Sequence, residues 1–535
     1  MRIHGPALPR RLAVLTIAAL ALTGCASTIG GTATVVGAPV LSTGGAKPTL
    51  PVDSQAPLPP TGPAHSTPVL PLSSSGGSAP VSTPASTPPA AVTTPPAGND
   101  IPDDQVGLKP GATTATLPSA VKDDQNTKSD QLAKDTIADL IDFYTQIFPD
   151  TFGQKFVPPA HFQSYDSSDK NSAVCGTSEY QNPNAAYFWP PCDTIAWDRG
   201  VLLPQLEQTI GELATPTVLA HEMGHRVQTQ LKLANSNPTI VFEEQADCYA
   251  GAYWKWVADG NSKYFNFNQS EGMREALTSL MNLRDPVGGV KTDPQAHGTG
   301  FDRTFSFGEG YSGGPARCNK IDINEINARS QQFPFDQVPT NGANLQITND
   351  LLGVVTDTVN SYFAQTTTGY KAPTLTPYST GSPPACDGYT VSTPVDYCPA
   401  TNTVSYDLAE LQQIGTPTAG FESMNGDFSA VIMVVSRYAL AAQAAGGSQI
   451  TGNNAGLRAL CYTGSWATWM KDPQGPKGLR LTPNDLDKAI YQVIASAIPA
   501  SDANGATTAP IIDRVQALDF GVTQPITKCF EQYSG

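Results

Sequence analysis

The sequence predicts an α+β fold: a mainly helical domain with a small sheet over residues 126–320, followed by a degenerate second copy of that domain over residues 341–535. Three observations carry this. Two helix-start signals, Thr215-Pro216 and Asn237-Pro238, open consecutive segments in which polar residues stand four apart. An aromatic stretch, Tyr187-Phe188-Trp189-Pro190-Pro191-Cys192, runs into Thr194-Ile195-Ala196-Trp197-Asp198, which alternates like an edge strand. The cysteines and their neighbours then recur 213 positions on, Ala246 to Ala459 and Cys248 to Cys461.

The chain has 535 residues, 15% of them charged, with a formal net charge of −16, which argues against nucleic acid as a partner and against electrostatic binding to anionic lipid. Arg2, Arg10 and Arg11 precede an apolar run, Leu12 to Leu22, too short to span a bilayer. Leu22-Thr23-Gly24-Cys25 follows, which resembles a bacterial lipobox; residues 1–24 then read as a signal peptide and Cys25 as the lipidated residue. The competing reading is an ordinary secretory signal with a chance cysteine. No other segment reads as long and apolar enough to cross a membrane, so the expectation is an extracytoplasmic protein anchored to the bacterial cell membrane by Cys25. Removing Cys25 leaves eight of the nine cysteines, an even number suited to an oxidising compartment.

Residues 25–125 are rich in Pro, Ser, Thr, Gly and Ala, as in Ser73-Ser74-Ser75-Gly76-Gly77, and predict a disordered tether that builds no core. Its reach is roughly 50–60 Å. Order is expected from about residue 129, where Leu132, Ile137, Leu140, Ile141, Tyr144 and Ile147 recur at helical spacing until Pro149 stops the helix. An extended segment follows near Phe156 to Tyr165. Cys175 and Cys192 are plausible partners beside the alternating strand. His161 has no companion motif and reads as structural.

The most informative stretch is His221-Glu222-Met223-Gly224-His225. Two histidines four apart share one face of a helix, so both imidazoles can reach a single zinc ion, with Glu222 facing a water on it. The next helix carries Glu243 and Asp247, again four apart. A catalytic zinc takes three protein ligands, so Glu243 is the expected third, and Asp247 would accept a hydrogen bond from a ligand imidazole. The bland alternative is a pair of amphipathic helices with solvated charges. It fits poorly, because Leu219, Ala220, Met223 and Val227 surround the histidines with apolar side chains, where unpaired polar groups are costly. Tyr249, Tyr253, Trp254 and Trp256 read as core rather than as a substrate platform. A further helix is expected over Ser270 to Leu283, then His297-Gly298-Thr299-Gly300-Phe301-Asp302-Arg303, Phe307-Gly308-Glu309-Gly310 and Cys318.

Taken in order, Cys-Gly, aromatic-Pro-Cys with Ile195 and Trp197-Asp198, the His221–His225 motif, Glu243 with Ala246-Asp247-Cys248, and His297-Gly298 with Arg303 and Phe307 resemble the bacterial neutral zinc metallopeptidases. The resemblance covers residues 130–320. It implies a zincin-like fold of the gluzincin type, one zinc per chain held by His221, His225 and Glu243, Glu222 as general base, and a protein or peptide substrate in the cell envelope. The chain also resembles the lipoprotein peptidases of mycobacteria. Related membrane zinc peptidases place a His and an Arg six apart to meet the oxyanion, which implies a catalytic part for His297 and Arg303. The alternative is a buried histidine holding a loop and an arginine in a structural salt bridge.

In the second copy His221 becomes Val434, Glu222 Val435, His225 Tyr438, Glu243 Gly456 and Asp247 Leu460, and no histidine follows His297. It should keep the fold and bind no metal; chance similarity is the rival account. Two copies that pair alike give disulfides Cys175–Cys192, Cys248–Cys318, Cys386–Cys398 and Cys461–Cys529, with residues 321–340 as linker. A scaffold lipoprotein that uses the fold without catalysis is the rival function, and wall-peptide cross-links are a rival substrate. Oligomeric state is left open.

Overall fold

The computed structural model describes residues 101–113, 115–233, 238–285, 296–330, 344–418, 424–471, 479–482 and 484–534. The signal peptide, Cys25, the tether up to residue 100, Asn237 and residues 331–340 of the linker lie outside the described residues. The N-terminal half contains β1 (Gly107–Leu108), β2 (Val121–Lys122), α1 (Lys128–Phe152), β3 (His161–Tyr165), β4 (Ala173–Val174), β5 (Thr177–Ser178), β6 (Ala185–Phe188) and β7 (Thr194–Asp198). It continues with α2 (Leu202–Thr209), α3 (Ala214–Leu231), α4 (Thr239–Ala258), β8 (Phe265–Asn266), α5 (Glu271–Asn282), α6 (Gly300–Gly313), α7 (Pro315–Cys318) and α8 (Ile323–Ser330).

The fold is mixed α and β, mainly helical with small sheets, as expected. The main sheet runs β2-β3-β7-β6, with β3 parallel to β7 and β6 antiparallel to it. The alternating segment is therefore not an edge. β7 is buried on both faces because Ala196 packs with Tyr165 and Val174 while Ile195 and Trp197 enter the main core. β2 and β6 are the edge strands.

Order also begins earlier than residue 129. Gly107 and Leu108 pair with β8, and Val121 and Lys122 pair with β3, so the expected tether is too long by about its last 25 residues. Their backbone groups gain ladder partners that a solvated linker lacks. Pro149 does not stop α1, which runs to Phe152 and ends at Gly153 in the left-handed conformation. A proline forfeits one backbone donor, and here the last turn persists despite it. Thr215 lies inside α3, whose cap position is Leu213. The start of the expected linker is helix α8, where Ile326 is buried, Arg329 pairs with Glu244 and its guanidinium lies 4.1 Å over the Phe305 ring.

The C-terminal half contains α9 (Asn349–Thr366), β9 (Thr374–Tyr378), β10 (Val395–Cys398), β11 (Thr403–Asp407), α10 (Leu408–Gly415), α11 (Asp427–Ala445), α12 (Asn453–Trp469), α13 (Asp485–Ala495), α14 (Ile511–Thr523) and α15 (Ile526–Gln532). Its sheet runs β10-β11-β9, with β9 parallel and β10 antiparallel to β11, the same pairing as β3, β6 and β7. Four disulfides join the eight cysteines in the expected pairs. A Cβ on Gly310 would come within 1.7 Å of the Cys248 carbonyl, and one on Gly521 within 1.9 Å of the Cys461 carbonyl, so both halves press a helix backbone against the cysteine-bearing helix. α5 and α6 pack on α13 and α14.

One expectation about membranes is corrected here. α11 is long and apolar enough to cross a bilayer by length and composition, but 89% of it is buried inside the protein. An apolar helix in a protein core passes the same test as a membrane span.

Candidate metal centre

α3 is buried all round from Ala214 to Gln228, so each polar side chain on it needs a partner. α4 packs alongside and is buried over the same turns. Together they bring one atom each from His221, His225 and Glu243 within 4.8 Å of one another. His221 Nε2 lies 3.2 Å from one Glu243 oxygen and His225 Nε2 lies 3.5 Å from the other. Tetrahedral zinc bonds of about 2.0–2.1 Å put ligand atoms roughly 3.3 Å apart, so these spacings suit a shared ion.

The far side of each imidazole is also held. His221 Nδ1 lies 2.7 Å from Asp247 Oδ1, and His225 Nδ1 lies 2.9 Å from Gln228 Oε1. The Gln228 amide is oriented because its Nε2 donates to the Phe242 carbonyl at 2.8 Å. Both contacts favour the tautomer that turns Nε2 toward Glu243. Burial pushes the Glu243 carboxyl up, but the His225, His297 and His221 rings outweigh it and hold it well below the usual carboxylate range.

The residues fit a zinc ion on a test internal to the protein. His225 Nε2 and both Glu243 oxygens are buried and make no hydrogen bond. Buried polar atoms of this kind are costly unless a partner such as a cation satisfies them. Two imidazole nitrogens and one carboxylate form a donor set that zinc accepts.

Glu222 is buried, and its Oε2 accepts the Tyr187 amide of edge strand β6 at 2.7 Å. The ring of Trp189, just beyond β6, lies 6.4 Å from His225 and 6.3 Å from Phe242. The motif's Trp197 and Asp198 are architectural: Trp197 Nε1 donates to Asp130 at 3.0 Å, and Asp198 accepts from Ser167, Gly200 and Leu202.

Residues 104–321 match the model of a family described as "Putative neutral zinc metallopeptidase". The chain is also 26% identical over 225 residues to the uncharacterized protein YpfJ of Escherichia coli strain K12, covering 37% of this chain and 76% of that protein. The YpfJ of Escherichia coli O6:H1 matches to the same extent. No solved structure matches.

Two further predicted residues reach this centre. His297 Nε2 lies 4.0 Å from Glu243 Oε2. Arg303 is fully buried; it donates to Asp247 Oδ1 and to the Leu283 carbonyl, each at 2.8 Å. That geometry favours the salt-bridge reading of Arg303. His161 is exposed at the start of β3.

Three partners escaped the sequence reading. Gln228 stands three residues after His225, on the same helix face, and that spacing could have found it. Asp285 accepts the amides of His297 and Gly298, and its Oδ1 lies 3.4 Å from His297 Nδ1. Burial raises its carboxyl, but these contacts pull it below its ordinary range. The Tyr187 amide carries no side-chain signal at all.

Proposed function

We propose that this chain is a zinc-dependent peptidase acting outside the cytoplasm, anchored to the membrane through lipidated Cys25. The observation that carries the peptidase reading is the convergence of His221, His225 and Glu243 with Glu222 beside them. Zinc held by the three ligands would lower the pKa of water toward neutrality and polarise a peptide carbonyl. Glu222 takes a proton from the attacking water and returns it to the leaving amine. The Tyr187 amide holds its carboxylate against β6 while it does so. His297, held by Asp285, meets the charge developing on the carbonyl oxygen. Arg303 acts behind the ligands, neutralising Asp247 and so orienting His221.

Export is supported by the cysteines. Eight are paired in disulfides and the ninth is Cys25.

The C-terminal half reads as a metal-free copy of the peptidase domain. Its matching strand pairing and disulfides support this. So does the place where a ligand would stand: a Cβ on Gly456, the counterpart of Glu243, would come within 2.0 Å of the Ala500 carbonyl. Arg437 anchors that loop, donating to the Ile498 and Ser501 carbonyls at 2.8 and 2.9 Å. The loop fills the space that a ligand side chain at position 456 would need. A scaffold role suits this half.

The test is cleavage of a mixed protein substrate by the full ectodomain. Cleavage should stop with a chelator, return with zinc, and fall by about 10²–10⁴-fold in Glu222→Gln. Equal rates for wild type and Glu222→Gln would refute the role of Glu222.

A further inference from the structure

We propose that Asp487, in the C-terminal half, positions the segment that brings His297 and Arg303 to the metal centre; this rests on the peptidase reading above. Asp487 stands in the first turn of α13 and is buried. Its Oδ1 accepts the Phe301 amide at 2.9 Å, and its carboxylate also takes the Gly300 amide. These are the first amides of α6, which have no partner within their own helix. Thr299 and Asp302 cap the same helix from within, through a capping box.

The other oxygen of Asp487 lies 3.3 Å from Arg284 Nε. Arg284 stands just after α5, and Gly300 and Phe301 open α6. One carboxylate therefore holds Arg284, beside Asp285, and the start of α6, just after His297. Arg284 is followed directly by Asp285, which holds the His297 amide and ring. Arg303 lies one turn into α6, where Asp487 fixes the helix start. Residue 300 lets the carboxylate approach: a Cβ there would lie 3.1 Å from Asp487 Cγ.

The consequence is that the peptidase domain does not hold its catalytic segment alone. Asp285 and Asp247 hold His297 and Arg303 from within it, and the half without ligands adds a carboxylate at the start of α6. The same contacts could serve stability alone, and the two roles separate on measurement. Asp487→Ala removes the grip. Asp487→Asn keeps an acceptor for the α6 amides and loses the charge facing Arg284.

The experiment compares full ectodomains of wild type and both variants by amide hydrogen exchange, zinc content and peptide cleavage. In Asp487→Ala, amides of residues 297–303 should exchange at least about tenfold faster while those of α3 and α4 stay protected. Zinc content should stay at the wild-type level. The kcat should fall by about 10–100-fold with KM changed less than about twofold. Asp487→Asn should fall between wild type and Asp487→Ala in both exchange and kcat. Unchanged exchange at 297–303, unchanged kcat, or an equal rise in exchange across α3 and α4 would overturn the proposal. If wild type cleaves nothing, the peptidase reading fails, and the exchange result alone upholds or overturns the grip of Asp487.

Discussion

Nδ1 of His221 and Nη2 of Arg303 meet on one oxygen of Asp247, at 2.7 and 2.8 Å. The carboxylate balances a buried guanidinium while fixing the ring that faces Glu243. Asp247→Asn keeps an acceptor and loses that charge. Zinc affinity should fall by about 10–100-fold, measured by competition with a chelator. Unchanged affinity would reduce Asp247 to a space-filler.

Gln228 does the same for His225 with a neutral group. Gln228→Leu removes the acceptor at His225 Nδ1 and the donor shared by the Phe242 carbonyl and Gln245 Oε1. The zinc-free protein should lose about 1–3 kcal/mol in urea unfolding. The deficit should widen when zinc is present, because the variant also binds it more weakly. A deficit identical with and without zinc would show that Gln228 does not act on the ligand.

Cys248 follows Asp247 directly and bridges to Cys318, 70 residues on. The bridge ties the Glu243 helix to α7, at the end of the domain. Changing both cysteines to serine should cost about 4 kcal/mol on chain-entropy grounds. Urea midpoints at fixed zinc check this. A midpoint within error of wild type would mean that packing alone holds α4.

Glu275 gives a pH dependence remote from the ligands. Burial raises its carboxyl to about 7 from an ordinary value near 4.5, against the opposing pull of the Leu213 amide at the start of α3. The folded state thus favours the protonated form. Its stabilising effect is full below about pH 4.5 and is lost as pH rises through about 7. Glu275→Gln has no such loss, so wild type should decline relative to the variant by up to about 3 kcal/mol between pH 4.5 and 8. Parallel curves would contradict this.

Much of the centre was legible because helix geometry converts spacing into placement. His221 and His225, like Glu243 and Asp247, share a face at four residues apart, and apolar neighbours told that the face is buried. The disulfides were legible because the two halves carry their cysteines in the same order. What escaped depends on the chain folding back. Asp285 stands 12 residues before His297, and no local pattern links them. Asp487 lies in the other half, and no local pattern ties it to His297. β7 was misread because its alternation is a signal of one buried face, and small Ala196 let a second face close over it.

The most direct measurement is elemental analysis of the protein purified without chelators, beside Glu243→Ala treated identically. The account predicts about one zinc per wild-type chain and far less in the variant. A folded, disulfide-intact wild-type protein that carries no zinc and takes up none on titration would contradict it.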